Sequence, residues 1–330
     1  MSRQMNEAVW FLSIILIAGC VLLYAKYQKE EPVSNTLTQA SNTPSSTLTA
    51  NPTEEEAEVM VQDTVLPAPA PTNLDSLFCS EGMTTETRIL APKGYERVEV
   101  SDGGIGQYIR TMPLKPSGSK VMLYDGSAKR NQSLHVAVYD MDLGTRDLQQ
   151  CADSIIRIYA EYLYHEKKGN QIAFHLTNGF LMEYSKWEKG YRIKVSGNEV
   201  SWVKNTNEDA SYECFRKYLN SVFTYAGTLS LSNECEEITP EDIQIGDLLI
   251  EGGSPGHCVL VVDEAVNEKG EKCVLLAQGY MPAQEFHIIK NPLHEEDPWY
   301  YVSELEYPIK TAQWTFDEGT LRRFVAFPLQ

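Results

Sequence analysis

A cysteine that opens a helix, a histidine at the mouth of an apolar strand and an amide one strand further on are the residues of this chain best suited to chemistry. Cys151 falls in the first turn of a helix expected over Leu148–Tyr164, with Asp147 and Gln150 forming its capping box. Cys151, Ile155, Ile158 and Tyr162 share one face, so the thiol points toward the core. At a helix start the unpaired N–H groups and the macrodipole favour negative charge, which strengthens a thiol as an acid. A nearby imidazole would strengthen it further and yield the thiolate that nucleophilic attack on a carbonyl needs. The plainer reading is a small apolar filler, the usual state of a free cysteine.

The imidazole comes from Gly246–Asp263, GDLLIEGGSPGHCVLVVD, read as two strands flanking a turn. His257 starts the second strand, where the strand fixes it and the loop keeps it reachable. It could equally cap the loop by hydrogen bonding. Val274–Gln278 reads as the hairpin partner across Asn267-Glu268-Lys269-Gly270. Pairing Val266 with Glu271 sets His257 opposite Tyr280, with Gln278 on the same face one step along. A side-chain amide there could accept from the ring N–H and hold its tautomer. A slip of one residue would turn it away, and Gln278 also reads as an ordinary polar strand end. Gln149 or Gln150, with the backbone N–H of Cys151, could hold an oxyanion, and both could equally be cap residues. Tyr280 is a candidate substrate contact.

Other residues carry weaker patterns. Cys214 also opens a helix, expected over Ser211–Ala226, but no histidine-bearing strand stands beside it. Cys258 follows His257 and is expected on the opposite face. Asp153, Arg157 and Glu161 lie four apart, as surface ion pairs do. His135 reads as a core-edge residue, and His165, His175, His287 and His294 form no usable pattern. Trp187, Tyr191, Trp202, Tyr280, Trp299, Tyr300 and Tyr301 could line a groove or simply pack. There is no CxxC pair and no zinc spacing, and the thiol chemistry set out above requires no metal or organic cofactor. Six cysteines besides Cys20 permit disulfides without requiring them.

The chain has 330 residues, 42% of them hydrophobic, enough for a sizeable core. Its net charge of −18 argues against a nucleic-acid binder, which needs a basic face. Ala8–Ala25 is a nearly unbroken apolar run, close to the shortest length that spans a bilayer. It reads as an uncleaved signal anchor within residues 1–28. Alternatively Ile17-Ala18-Gly19-Cys20 is a lipobox with Cys20 acylated, although the apolar run continues past Cys20. Residues 29–72 are rich in Ser, Thr, Pro and Glu and read as a disordered spacer. Residues 73–330 form one domain. Strands are expected at Tyr95–Val100, Val121–Tyr124, Ser133–Asp140, Gln171–His175, Phe180–Tyr184, Gln284–Ile289 and Phe324–Phe327. Their mixture with helices lacks a regular βαβ beat, which favours α+β.

From about Ile89 to Phe327 the chain resembles a family of exported Bacteroidota proteins known only as a domain of unknown function. The resemblance rests on DLQQCA (Asp147–Ala152), AEYL (Ala160–Leu163), YAGTLSL (Tyr225–Leu231), GGSPGH (Gly252–His257), LAQGYMPAQ (Leu276–Gln284) and Asn291-Pro292. The order of helix-opening cysteine, Gly246-Asp247-Leu248 leading to His257, and a polar residue on the next strand is similar to the papain-like NlpC/P60 and CHAP cell-wall amidases. That similarity implies a papain-like, mainly antiparallel sheet packed against helices, with Cys151 as nucleophile, His257 as base and Gln278 as orienter. Gln278 stands where those families more often carry His, Asn or Asp. The expectation is a membrane-tethered domain in the cell envelope, outside the cytoplasm, that hydrolyses peptide amides. The alternative is a non-catalytic module holding a glycan or peptide.

Overall fold

A computed structural model describes residues 77–325. The apolar run Ala8–Ala25, Cys20, the spacer 29–72 and the end of the expected strand Phe324–Phe327 lie outside them. Among the described residues no helix is long and apolar enough to cross a membrane.

The mixed α+β architecture with antiparallel sheets is present. One sheet dominates, in the order His135–Val138, His287–Ile289, Lys272–Gln278, His257–Asn267, Leu248–Glu251, Leu321–Phe324 and Cys235–Glu237. Tyr95–Arg97 pairs with the far end of the strand His257–Asn267, and Tyr300–Tyr301 with the start of Lys272–Gln278. Every pairing is antiparallel. Along His257–Asn267, Val259 and Val261 enter one core with Leu249, Val274, Leu276 and Phe316. Cys258, Leu260 and Val262 enter the other, with Ile155, Tyr159 and Phe215. Both faces are covered, so this strand has no polar side to alternate with.

Helix Cys151–His165 starts three residues later than the hydrophobic period suggests. Gln150 is its N-cap, and the Gln150 N–H donates to Asp153 Oδ2 at 3.1 Å. Asp147 instead accepts from Gln150 Nε2 (2.9 Å) and Ala283 N–H (2.7 Å), tying the helix start to the loop after Gln278. The expected solvent face does not exist: Asp153, Arg157 and Glu161 are all buried. Arg157 donates from Nε to Glu161 Oε1 at 3.2 Å and from Nη1 to Gln149 Oε1 at 2.8 Å and the carbonyl of Asp142. Tyr212 covers the same side, its hydroxyl 2.7 Å from Glu161 Oε1. A four-residue charge spacing looks the same on a solvated face and on one roofed by a loop.

The second expected helix runs Tyr212–Tyr225, with the Ser211 hydroxyl capping Cys214 N–H. Val121–Tyr124 makes only isolated bridges, and the hairpin Tyr191–Ser196/Glu199–Lys204 is an element the sequence reading missed. Ala173–His175 and Leu181–Glu183 pair around the Asn178-Gly179 turn, with Gly179 at φ +85°.

The hairpin register decides the site. At the turn Val266 pairs with Lys272, one residue away from the expected Glu271. A bulge between Leu275 and Leu276 then shifts the ladder by one, so that Leu276 faces Val261 and Ala277 faces Leu260. Continued, that register sets Tyr280 across from His257, as the simpler pairing would have. The slip and the bulge cancel over the stretch that matters.

Candidate functional site

Three side chains meet where His257–Asn267 and Lys272–Gln278 reach the start of helix Cys151–His165. His257 Nε2 lies 2.8 Å from Gln278 Oε1. The other ring nitrogen, Nδ1, is buried without a partner of regular hydrogen-bond geometry. The Cys151 thiol interacts with this imidazole. Cys151 is held well below the usual thiol range, first by the Cys258 thiol, then by His257 and the Ala152 N–H, all against the cost of burial. Cys258 itself is pushed well up by burial, so it keeps its hydrogen and donates toward the Cys151 sulfur. The expectation that Cys258 stands apart from the site is therefore corrected. It does point to the helix-facing side of the strand, but the start of the helix sits at the strand end, within reach of both faces. All six cysteines among the described residues are free thiols. Cys214, the rival, is raised chiefly by burial, and its polar neighbour is Arg192 rather than a histidine.

Glycines permit this meeting. A Cβ on Gly279 would stand 2.6 Å from Ser154 Oγ and 2.8 Å from the Gln150 carbonyl, so the backbone after Gln278 lies directly on the first helical turn. A Cβ on Gly256 would lie 2.4 Å from Thr228 Oγ1 and 2.6 Å from the Gly253 carbonyl. That glycine lets the loop before His257 fold tightly onto helix Thr228–Asn233. We expect Gly279→Ala to lever the hairpin off the helix start and slow alkylation of Cys151 by iodoacetamide at least about tenfold, read by mass spectrometry. An unchanged rate would remove the close approach from the argument.

The imidazole is walled by aromatics. Its ring centroid is 4.8 Å from Tyr280, 5.2 Å from Trp314 and 6.0 Å from Phe316. Trp314 is anchored by Nε1 donating to Glu251 Oε2 at 2.9 Å. Trp314 and Phe316 were not foreseen, because they sit at and just before the two-residue strand Thr315–Phe316, too short to show a period. They keep water from the His257–Gln278 bond. Of the expected groove aromatics, Trp187 and Trp299 are buried in the core instead, whereas Tyr300 and Tyr301 line a separate pocket with Tyr307 and Leu293.

Cys151 is 4% exposed, yet it lines an open cleft of about 370 Å³. Gln150, Asp153, Ala226–Thr228, Gly253–Gly256 and Met281 form its other walls. Gln150 thus borders the cleft, though its side-chain amide is engaged with Asp147. Gln149 does not border it: its Oε1 faces Arg157, and its Nε2 is buried without a partner. The Cys151 N–H, at the first helical position, has no intrahelical acceptor.

The family model for the domain of unknown function numbered 4846 matches residues 85–323. The chain belongs to that family. No curated protein and no solved structure matches it. In this member of the domain of unknown function 4846 family, the matched span holds every residue of the site, including Trp314 and Gln313.

Behind the site of this family member lies a second polar chain. Gln278 Nε2 donates to Gln313 Oε1 at 2.7 Å, and Lys129 Nζ donates to the same oxygen. Lys129 Nζ is also 3.3 Å from Nε2 of the wholly buried His287, whose Nδ1 donates to the Glu285 carbonyl at 2.7 Å. Burial, then the Lys129 ammonium, hold His287 down at about 3, from 6.5. The unfolded chain therefore takes up this proton below 6.5 while the fold refuses it until about 3. The stabilisation is complete above pH 6.5 and fades as pH falls through that window. In urea titrations between pH 7 and 4, His287→Phe should lose stability less steeply than the parent. Parallel curves would exclude His287 as a source of the acid sensitivity.

Proposed function

We propose that this protein is a thiol-dependent amidase or peptidase of papain-like arrangement. One observation carries the reading: His257 is bonded through Nε2 to Gln278, leaving Nδ1 for a Cys151 thiol that is already strengthened as an acid. In this reading the sulfur gives its proton to Nδ1 and attacks the carbonyl carbon of an amide. The carbonyl electron pair moves to oxygen, stabilised by the Cys151 N–H at the helix start. As the intermediate collapses, the C–N bond breaks, His257 protonates the departing amine, and a thioester remains. Water, deprotonated by His257, then attacks the thioester carbon and releases the acid and the thiol. Gln278 keeps the ring oriented through both halves. No cofactor enters this cycle.

The substrate class is a peptide amide, with cell-wall stem peptides the leading case from the resemblance to NlpC/P60 and CHAP enzymes. The same proposal takes Ala8–Ala25 as a membrane anchor, or Cys20 as an acylated terminus, with the globular domain outside the cytoplasm.

The test is amine release from peptidoglycan stem peptides and from unrelated peptide amides, by the full chain and by Cys151→Ala. Release by the parent alone supports the enzyme. Saturable binding of the same peptides or of glycan fragments, with no release by either protein, would replace it with a binding module.

A further inference from the structure

The buried chain behind Gln278 has a direction, and a lysine sets it. Lys129 is 8% exposed. Among the described residues no carboxylate lies within ion-pair distance of it, and burial draws its pKa down to about 8. The two polar contacts of its Nζ are Gln313 Oε1 and His287 Nε2. An ammonium can only donate. The Gln313 atom that faces it must therefore be the amide oxygen, and the amide cannot be turned over. The same oxygen takes a second donor, so the Gln278 atom 2.7 Å away must be its NH₂ nitrogen. The Gln278 oxygen is thereby left facing His257 Nε2, which must carry hydrogen to bond it. The nitrogen near Cys151 is then Nδ1 with a free lone pair, the form of the ring that can take the thiol proton. His287 agrees with this polarity: its Nδ1 donates to a carbonyl, leaving Nε2 as acceptor for Lys129.

We propose that Lys129 is a positioning residue that, through Gln313 and Gln278, selects the Nε2–H tautomer of His257. It touches no substrate, and its significance for catalysis rests on the reading given above. Without the ammonium nothing prevents Gln313 and Gln278 from turning over together. Gln278 would then donate to Nε2, and the hydrogen would sit on Nδ1, where it blocks proton transfer from sulfur. Gln313 and Lys129 come from segments distant in the chain, 184 residues apart.

The experiment is nitrogen NMR of histidine-labelled full chain in a Cys151→Ala background, where no thiolate can pair with the ring, at pH about 7.5. His257 should be assigned by loss of its signals in His257→Asn. With Lys129 intact the Nε2–H form should dominate. In Lys129→Met that dominance should fall about tenfold, toward equal populations. Gln313→Leu, at a half-buried position and with Lys129 retained, should give the same loss. An unchanged Nε2–H excess in either folded variant would overturn the proposal, and if Lys129→Met does not fold the Gln313→Leu result decides. This readout does not involve turnover, so it stands or falls independently of whether any amide is hydrolysed.

Discussion

His257→Ala should lower amide turnover by about 10²–10⁴-fold, the usual range for loss of a positioned acid–base group. It should also slow alkylation of Cys151 at pH 6, because the thiol loses the base that takes its proton. Cys258→Ala should act differently. The Cys258 thiol is the largest single influence on the Cys151 acidity, but it is a donor held neutral by burial. It can stabilise a thiolate and cannot receive a proton. Its loss should move the pH at which Cys151 becomes reactive upward, with turnover at high pH largely kept. Gln278→Ala should fall between the two, since the ring remains but its tautomer and angle are free. The decisive measurement is the pH profile of turnover for the three variants. If His257→Ala keeps turnover within a few-fold of the parent while Cys151→Ala abolishes it, another group is the base.

The parts of this site that were legible in the chain were those with local signatures. His257 and Gln278 lie on strands bounded by Pro-Gly and Asn-Glu-Lys-Gly, and a thiol opening a helix is readable from the apolar period. The juxtaposition of His257 and Gln278 was reached through a hairpin register that holds only beyond the bulge at Leu275/Leu276. Nothing in Leu275-Leu276 announces a bulge, because both faces of the strand are covered and no alternation marks the slip. Cys258 was misplaced because strand alternation describes the middle of a strand, whereas here the helix start straddles its end. Asp153, Arg157 and Glu161 were misread because burial depends on what lies above the helix, in this case Tyr212 and the loop around Asp142. Lys129, Gln313 and Trp314 had no signal, since each acts only through contacts with remote segments.

The same bulge points to the largest expected loss of stability. Asp263 sits beside it, with no exposed side-chain surface. Its Oδ2 accepts from Arg97 Nε at 2.7 Å and its Oδ1 from Arg110 Nε at 2.8 Å and its neighbour's N–H at 2.9 Å. Arg97 comes from the strand Tyr95–Arg97 and Arg110 from helix Ile105–Thr111, so one carboxylate ties two elements to the sheet where its register changes. Arg110 already has a buried Nη2 without a partner, so it has no alternative acceptor when the carboxylate goes. Asp263→Ala should therefore cost about 3–5 kcal/mol, the range for stranding a buried charge. That corresponds to a fall in Tm of roughly 10 °C for a domain of this size. The cost arises from the stranded guanidinium more than from the lost attraction, so a further substitution can separate the two. Asp263→Leu with Arg110→Met and Arg97→Met removes all three charges and should recover most of the loss. A Tm for Asp263→Ala within about 2 °C of the parent would mean that water reaches Arg110 and that the anchor is dispensable. Where Asp263→Ala also slows alkylation of Cys151, recovery of Tm in the triple variant without recovery of that rate would show that the ion cluster, beyond its stability, holds the bulge that aims His257 and Gln278 at the thiol.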